Sequence, residues 1–283
     1  MITVYKHIEE ELVSDSTVSD ATKGSWVNLV NPDPDELSLI NIPVIRGNDM
    51  YDTVPLGIFL TPDFFITICL EESEVLYPFI SNQISTFYTY KKTRFLFQIL
   101  YRTATMFLRY LQQINRRTDD IEIQLRHTTK NKDFFQLLEL QKSMTYFTSA
   151  LRTNGTVMER LLRLRGHSSY KHLLKMYEED EDLLEDVIIE NKQAIEMVEM
   201  YSNILMNMMN AFTSIISNNL NLVMKMLATL TIAMAVPTIV FSLWGTNVPL
   251  PFQEDPEGFY EVIGVALVFS IIAIIGMWKK DLF

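Results

Sequence analysis

The sequence predicts an α+β membrane protein: a small N-terminal α/β cytoplasmic domain, then long cytoplasmic helices continuing into a two-helix transmembrane hairpin. Three observations carry that prediction. The first seventy residues alternate short β-branched and aromatic runs with Pro, Asn, Asp and Gly, the pattern of strands and turns. Between Pro78 and Gly155 there is neither Pro nor Gly, while apolar residues such as Phe95, Phe97, Leu100, Leu108, Leu111, Ile114, Ile121 and Leu125 recur at helical spacing. Near the C-terminus, Met226–Trp244 is an uncharged apolar stretch long enough to cross a hydrocarbon core of about 30 Å, and Val262–Trp278 is a second one near the lower limit of length that Phe259 and Tyr260 extend into the interface.

In chain order, strands are expected at Ile2–Lys6, Trp26–Val30, Ile42–Ile45, Val54–Leu60 and Phe65–Leu70. Asn31-Pro32-Asp33-Pro34-Asp35-Glu36 has the chemistry of a turn and cap opening a short helix through Ile40. This α/β domain is expected to span residues 1–80, and antiparallel helices residues 81–179, with breaks at Thr128–Asp133 and at Asn154-Gly155. The basic group Arg160, Arg163 and Arg165 beside Gly166 reads as a solvated helix end. A last helix begins near Asp180 and meets only one breaker, Pro237, before Trp244. Its part over 180–221 is a stalk and its part over 222–244 the first transmembrane helix. Residues 245–258 then form an extracellular loop, 259–278 the second transmembrane helix and 279–283 a cytoplasmic tail.

Charge sets the orientation. Gly245–Glu261 contains Glu254, Asp255 and Glu257 but no Lys or Arg, whereas Lys225, Lys279 and Lys280 flank the opposite ends, so the basic ends and both termini are expected in the cytoplasm of a cell bounded by the plasma membrane. Met1–Glu11 lacks the apolar core of a cleavable signal. The single Cys69 has no intrachain disulfide partner and reads as a small buried apolar residue. A net charge of −11 argues against nucleic acid as a partner, because binding phosphates needs a basic surface. Enzymatic chemistry has no foothold: His7, His127, His167 and His172 show no ligand spacing, and no Gly-rich phosphate loop or nucleophile–base pair is present.

The first apolar stretch carries an internal pattern. Steps of three and four from Asn221 reach Met224, Ala228, Thr231, Ala235, Thr238 and Ser242, placing small and polar side chains along one seam of a helix. Such a seam serves either close helix packing or a water-lined path at the centre of a ring of identical helices. Met224, near the inner end, is either a hydrophobic constriction or a packing residue. Thr229 lies off the seam and needs a backbone partner.

Gly245-Thr246-Asn247 directly after this helix, the short loop, the second helix and the terminal Lys279-Lys280 resemble the CorA family of divalent-cation (magnesium and cobalt) transport proteins. The family signature there is Gly-Met-Asn, so Thr246 departs from it, and the run Asn221–Lys225 also resembles the family's entry to its pore helix. The resemblance implies a homo-oligomer, a pentamer, in which Gly245, Thr246 and Asn247 form a selectivity mouth and the seam from Asn221 to Ser242 lines the pore. It implies Mg2+ as transported and regulatory ion, with cobalt, nickel or zinc as other cargo, and no catalytic cofactor. By the same similarity Asp186 matches an acidic position for regulatory metal, with Asp49 or Asp52 as partner from the α/β domain. The dense acidic run Glu178–Asp186 also reads simply as carboxylates favoured at a helix N-terminus. Against the transporter stands a non-conducting, membrane-anchored metal sensor or scaffold, in line with Thr246 and with a front domain shorter than the family's.

Overall fold

A computed structural model of the chain describes residues 2–8, 11–15, 22–30, 40–47, 50–127, 131–164, 176–247, 250–251 and 257–279. They divide into two compact units, Met1–Met209 and Asn210–Phe283.

The first unit is built on a six-stranded sheet of order β2-β1-β3-β6-β5-β4. The strands are β1 (Ile2–Ile8), β2 (Glu11–Asp15), β3 (Trp26–Val30), β4 (Ile40–Arg46), β5 (Met50–Leu60) and β6 (Phe65–Cys69). β3 and β6 pair in parallel and every other pair is antiparallel. β6 alternates buried and half-buried residues, with Phe65, Thr67 and Cys69 inward, the two-residue period of a strand with one face on a core. Pro43 sits in β4 at the sheet edge, where its missing N–H breaks no inner ladder. The expected helix over Asn31–Ile40 lies outside the described residues except for Ile40, which opens β4.

Aromatic packing joins the sheet to the helices that follow. Trp26 stacks on Tyr5 with centroids 4.7 Å apart and meets Phe95 at 5.0 Å, and Phe95 in turn contacts Phe65, Phe79 and Phe87. All these rings are buried, so the cluster contributes both area and edge-to-face geometry. Its polar atoms are satisfied: the Trp26 indole donates to Thr67 Oγ1 (2.8 Å), and the Thr67 hydroxyl donates to Asn28 Oδ1 (2.7 Å). Phe79 comes from α1 (Tyr77–Ile80) and Phe95 from α2 (Lys92–His127).

α3 (Asn131–Leu164) overturns the expected break at Asn154-Gly155, since the helix runs through both residues. Asn154 is fully buried, and its amide accepts from Asn41 N–H (2.8 Å) and donates to Asn41 C=O (2.7 Å). It therefore acts as a one-residue extra strand against β4 at the edge of the sheet, capping backbone groups that would otherwise be orphaned. Gly155 makes room: a Cβ there would stand 3.1 Å from Asn191 Nδ2 of α4 (Glu178–Trp244), which donates to Leu151 C=O. Both residues look like breakers by propensity and are packing devices in fact. Farther along, the Arg152 guanidinium binds Glu199 at 2.7 Å, and Gln141 donates to Ser202.

Helix α4 holds 67 residues and includes Pro237. Asp180, at the third position of the helix and 4% exposed, accepts from Tyr177 N–H, while Arg94 of α2 binds Glu179 at 2.9 Å. These contacts fix where the helix starts. Burial pushes the Cys69 thiol up, as befits a small apolar residue at the end of β6.

The second unit is a hairpin of α4 and α5 (Gly258–Lys279). Its core is small: Val240 packs on Val262 and Ala266, flanked by Trp244 and Val265. Both helices are long and apolar enough to cross a membrane, and little of their apolar surface is buried within the chain.

Candidate functional site

The seam is open. At about 100° per residue, Thr229, Ala233, Val240 and Trp244, which face α5 or are buried, lie about 130–170° around α4 from the centre of the row Asn221, Met224, Ala228, Thr231, Ala235, Thr238 and Ser242. α5 thus covers one side of α4 and leaves the small and polar row on the other. Met224, Thr231, Thr238 and Ser242 are exposed and Ala235 is half-buried. Thr229, the off-seam hydroxyl, is buried on the α5 side.

The seam hydroxyls have a defined direction. Thr231 Oγ1 donates to Leu227 C=O and Thr238 Oγ1 to Met234 C=O, each at 2.8 Å. With the proton directed back into the helix, each of these two oxygens keeps lone pairs outward, so Thr231 and Thr238 present acceptors on the row. Acceptors are what the water shell of a hydrated cation meets, since metal-bound water points its hydrogens outward.

At the end of α4 the chain turns tightly. Gly245 N–H bonds Phe241 C=O (2.9 Å), and both the Thr246 N–H (3.2 Å) and its hydroxyl (2.7 Å) bond Leu243 C=O. A Cβ on Gly245 would come 3.2 Å from the Phe241 carbonyl oxygen, so the position favours glycine for close approach to the last-turn carbonyls. Thr246 is a side-chain cap on those carbonyls, which a methionine has no donor to provide. From the sequence Thr246 reads as a member of the mouth and a departure from the signature, not as a helix cap; a threonine just past a helix end was the available signal. Trp244 Nε1 donates to Pro251 C=O at 2.9 Å, tethering the chain after α4 to the helix end. Asn247 is exposed beside this turn.

The acidic candidates fare differently. Asp186 lies on an exposed face of α4. Asp52 is engaged locally: its carboxylate takes Arg46 Nε at 2.7 Å and the Thr53 N–H at 2.8 Å. Asp49 lies outside the described residues. Among the described residues no group of three or more His, Cys, Asp or Glu converges as a metal cage within one chain.

Fold and site together define an α+β membrane protein whose last two helices form a spanning hairpin with one small, polar helix face exposed. The chain belongs to the CorA-like Mg2+ transporter protein family, whose model matches residues 10–280. It is 25% identical over 230 residues to the cobalt/magnesium transport protein CorA of Methanocaldococcus jannaschii, covering 78% of this chain and 69% of that one. The complete structure of the CorA magnesium transporter from the same organism superposes with a TM-score of 0.80 at 19% identity, covering 100% of this chain and 99% of that one. The full-length CmaX protein superposes with a TM-score of 0.69 at 14% identity, covering 98% and 97%. These likenesses extend over both units.

Proposed function

We propose that this chain is a divalent metal cation transporter or channel that passes hydrated ions, foremost Mg2+, along the seam of α4 at the centre of a homo-oligomer, a pentamer by family likeness. The observation that carries this reading is the division of α4 into two faces, with α5 covering the side away from Thr231, Thr238 and Ser242. An exposed row of acceptors in a membrane helix needs either water or identical neighbours, and a ring of copies supplies both. Stripping Mg2+ of its water is costly, so dipoles that touch the hydrated ion suit it better than a cage of carboxylates.

In this reading Asn247 amides ring the outer mouth, Gly245 lets the helix ends approach, and Thr246 holds the last turn so that Asn247 is presented. Asn221 closes the inner end of the row, and Met224 constricts it by excluding water. Lys225, Lys279 and Lys280 keep both termini cytoplasmic in the plasma membrane. Cytoplasmic Mg2+ at Asp186, held with a carboxylate from a neighbouring copy, favours closure by relieving repulsion between acidic α4 segments; the helix has no break between Asp186 and the seam, so a shift at one end is carried along it. Asp186→Lys is then expected to make protease resistance of the oligomer independent of Mg2+, and an unchanged Mg2+ dependence removes Asp186 from the mechanism.

The decisive experiment is ion flux into liposomes holding the purified protein, run with magnesium, cobalt, nickel and zinc. Saturable flux of at least one ion is expected. Absence of flux at every concentration and with every ion refutes transport and leaves the membrane-anchored metal sensor.

A further inference from the structure

Two helix faces of the first unit carry opposite charge. On α2, Arg102 and Arg109 are seven residues apart and so lie along one line of the helix. Among the described residues neither forms an ion pair, and Arg102 Nε is buried without a hydrogen-bond partner. Burial first, and the charge of Arg109 second, push the Arg102 guanidinium down. Glu74, whose charge pulls the other way, takes the Tyr110 hydroxyl at 2.9 Å. The exposed Tyr101, Thr105, Gln112 and Gln113 around the two arginines bring no carboxylate.

α4 shows the reverse. Glu178, Asp182, Glu185, Asp186 and Glu196 are exposed within a sector of about 100°, opposite the buried Leu184, Val187, Asn191 and Val198. Among the described residues none of the five forms an ion pair. The helix dipole favours Glu178 in the first turn but no longer reaches the other four, so their charge needs another partner.

The two faces stand at matching levels. α2 and α4 start side by side, where Arg94 binds Glu179 at 2.9 Å. Farther along, Phe107 meets Phe147 of α3, and α3 sets Leu151 beside Asn191 and Gln141 beside Ser202, so α2 and α4 run in the same direction. Counted from these contacts, Arg109 is level with about residues 194–198 of α4, a stretch that holds Glu196, and Arg102 with about residues 187–191, just past Glu185 and Asp186. Within one copy these arginines and carboxylates do not pair.

A ring of identical chains needs a heterologous contact, in which one patch of a copy meets a different patch of the next. Rotation about an axis along the helices moves no residue along that axis, so groups at one level in one copy meet groups at the same level in its neighbour. We propose that the α2 face of each copy docks on the acidic α4 face of the next, with Arg109 on Glu196 and Arg102 at the level of Glu185 and Asp186. The contact neutralises part of the acidic face without a metal ion, and so holds copies together when divalent ions are withdrawn. The proposal rests on the ring of the proposed function, and crosslinking is read independently of ion flux.

The test uses the full-length protein in membranes, carrying Arg109→Cys and Glu196→Cys together, treated with a short bis-maleimide in EDTA and run on a denaturing gel. A covalent ladder that climbs past the dimer is expected, while each single variant stays monomeric because Cys69 is buried. Monomer alone overturns the docking, and products that stop at the dimer overturn it too, since a two-fold contact closes on itself. In chains without added cysteines, Arg109→Glu and Glu196→Arg are each expected to lower the oligomer retained on dilution into EDTA about fivefold, the factor that about 1 kcal/mol for one exposed pair represents. The chain carrying both changes regains it, because the charges are exchanged and the contact is kept. A double variant no better than the singles overturns the pairing. A ladder without ion flux refutes transport and leaves the interface standing, whereas flux without a ladder does the reverse.

Discussion

Phe95 and Phe241 are the same residue in two different solvents. Phe95 in α2 is completely buried among Trp26, Phe65, Phe79 and Phe87, while Phe241 in α4 is 48% exposed and outside the small cluster of Val240, Val262 and Ala266. The first unit places its largest apolar side chains inward because water surrounds it, and it satisfies each buried polar atom of the cluster, as the Trp26–Thr67–Asn28 relay does. The second unit leaves most of its Leu, Ile and Phe outward, and among its described residues the buried apolar side chains are Phe212, Val240, Val262, Ala266 and Met277. There the face that stands apart is the polar one. In an aqueous fold the informative residues are buried polar groups; in a membrane hairpin they are the polar groups that the neighbouring helix leaves uncovered.

The comparison breaks most sharply at the mouth of the seam. Asn247→Ala removes an exposed amide, so it is expected to leave folding intact while metal uptake by a transport-deficient strain falls at least tenfold, to background. Uptake equal to wild type would contradict the assignment of the C-terminal unit to ion passage.

Next in size comes the aromatic cluster. Phe95→Ala leaves a cavity bounded by four rings and is expected to lower the stability of the first unit by about 3–5 kcal/mol. The measurement is hydrogen exchange of the β3 and β6 amides in the full chain, and a change below about 1 kcal/mol would mean the cluster collapses around the gap.

Asn154→Ala is a smaller break, and it tests an element the sequence hid. It strips partners from the N–H and C=O of Asn41 at the buried edge of β4, with an expected loss of about 1–3 kcal/mol seen as faster exchange along β4. Asn154→Asp should cost more than half of this, because a carboxylate accepts from the N–H but cannot donate to the carbonyl.

Asn154 also shows where legibility ended. Periodicity gave the long helices, and charge-free length gave both spans, because those patterns depend only on which faces meet water. The strand cores at Trp26–Val30 and Phe65–Cys69 were equally legible from β-branched and aromatic runs. β2, Glu11–Asp15, went unseen: its residues ELVSD carry little strand propensity, and it exists because β1 offers it a ladder. The Asn154-Gly155 pair was misread as a helix break because propensity counts the local cost of Asn and Gly, not a hydrogen bond to a strand more than a hundred residues away. Within the candidate site, the heptad steps exposed the seam, but the side covered by α5 depends on tertiary contacts, whereas the Thr246 cap is a local bond to Leu243 whose signal, a threonine just past a helix end, was present in the sequence.

Phe241→Ala is the control with the smallest expected effect. The same truncation that costs several kcal/mol at Phe95 opens no cavity here, because a lipid-facing ring exchanges contact with protein and lipid for contact with lipid alone, and hydrocarbon is as apolar on either side of the change. A shift below about 1 kcal/mol in resistance of the oligomer to denaturing detergent is expected, with flux unchanged. A loss approaching that of Phe95→Ala would place Phe241 in a packed interface between copies, and would move the boundary of the lipid-facing surface from α4 to α5.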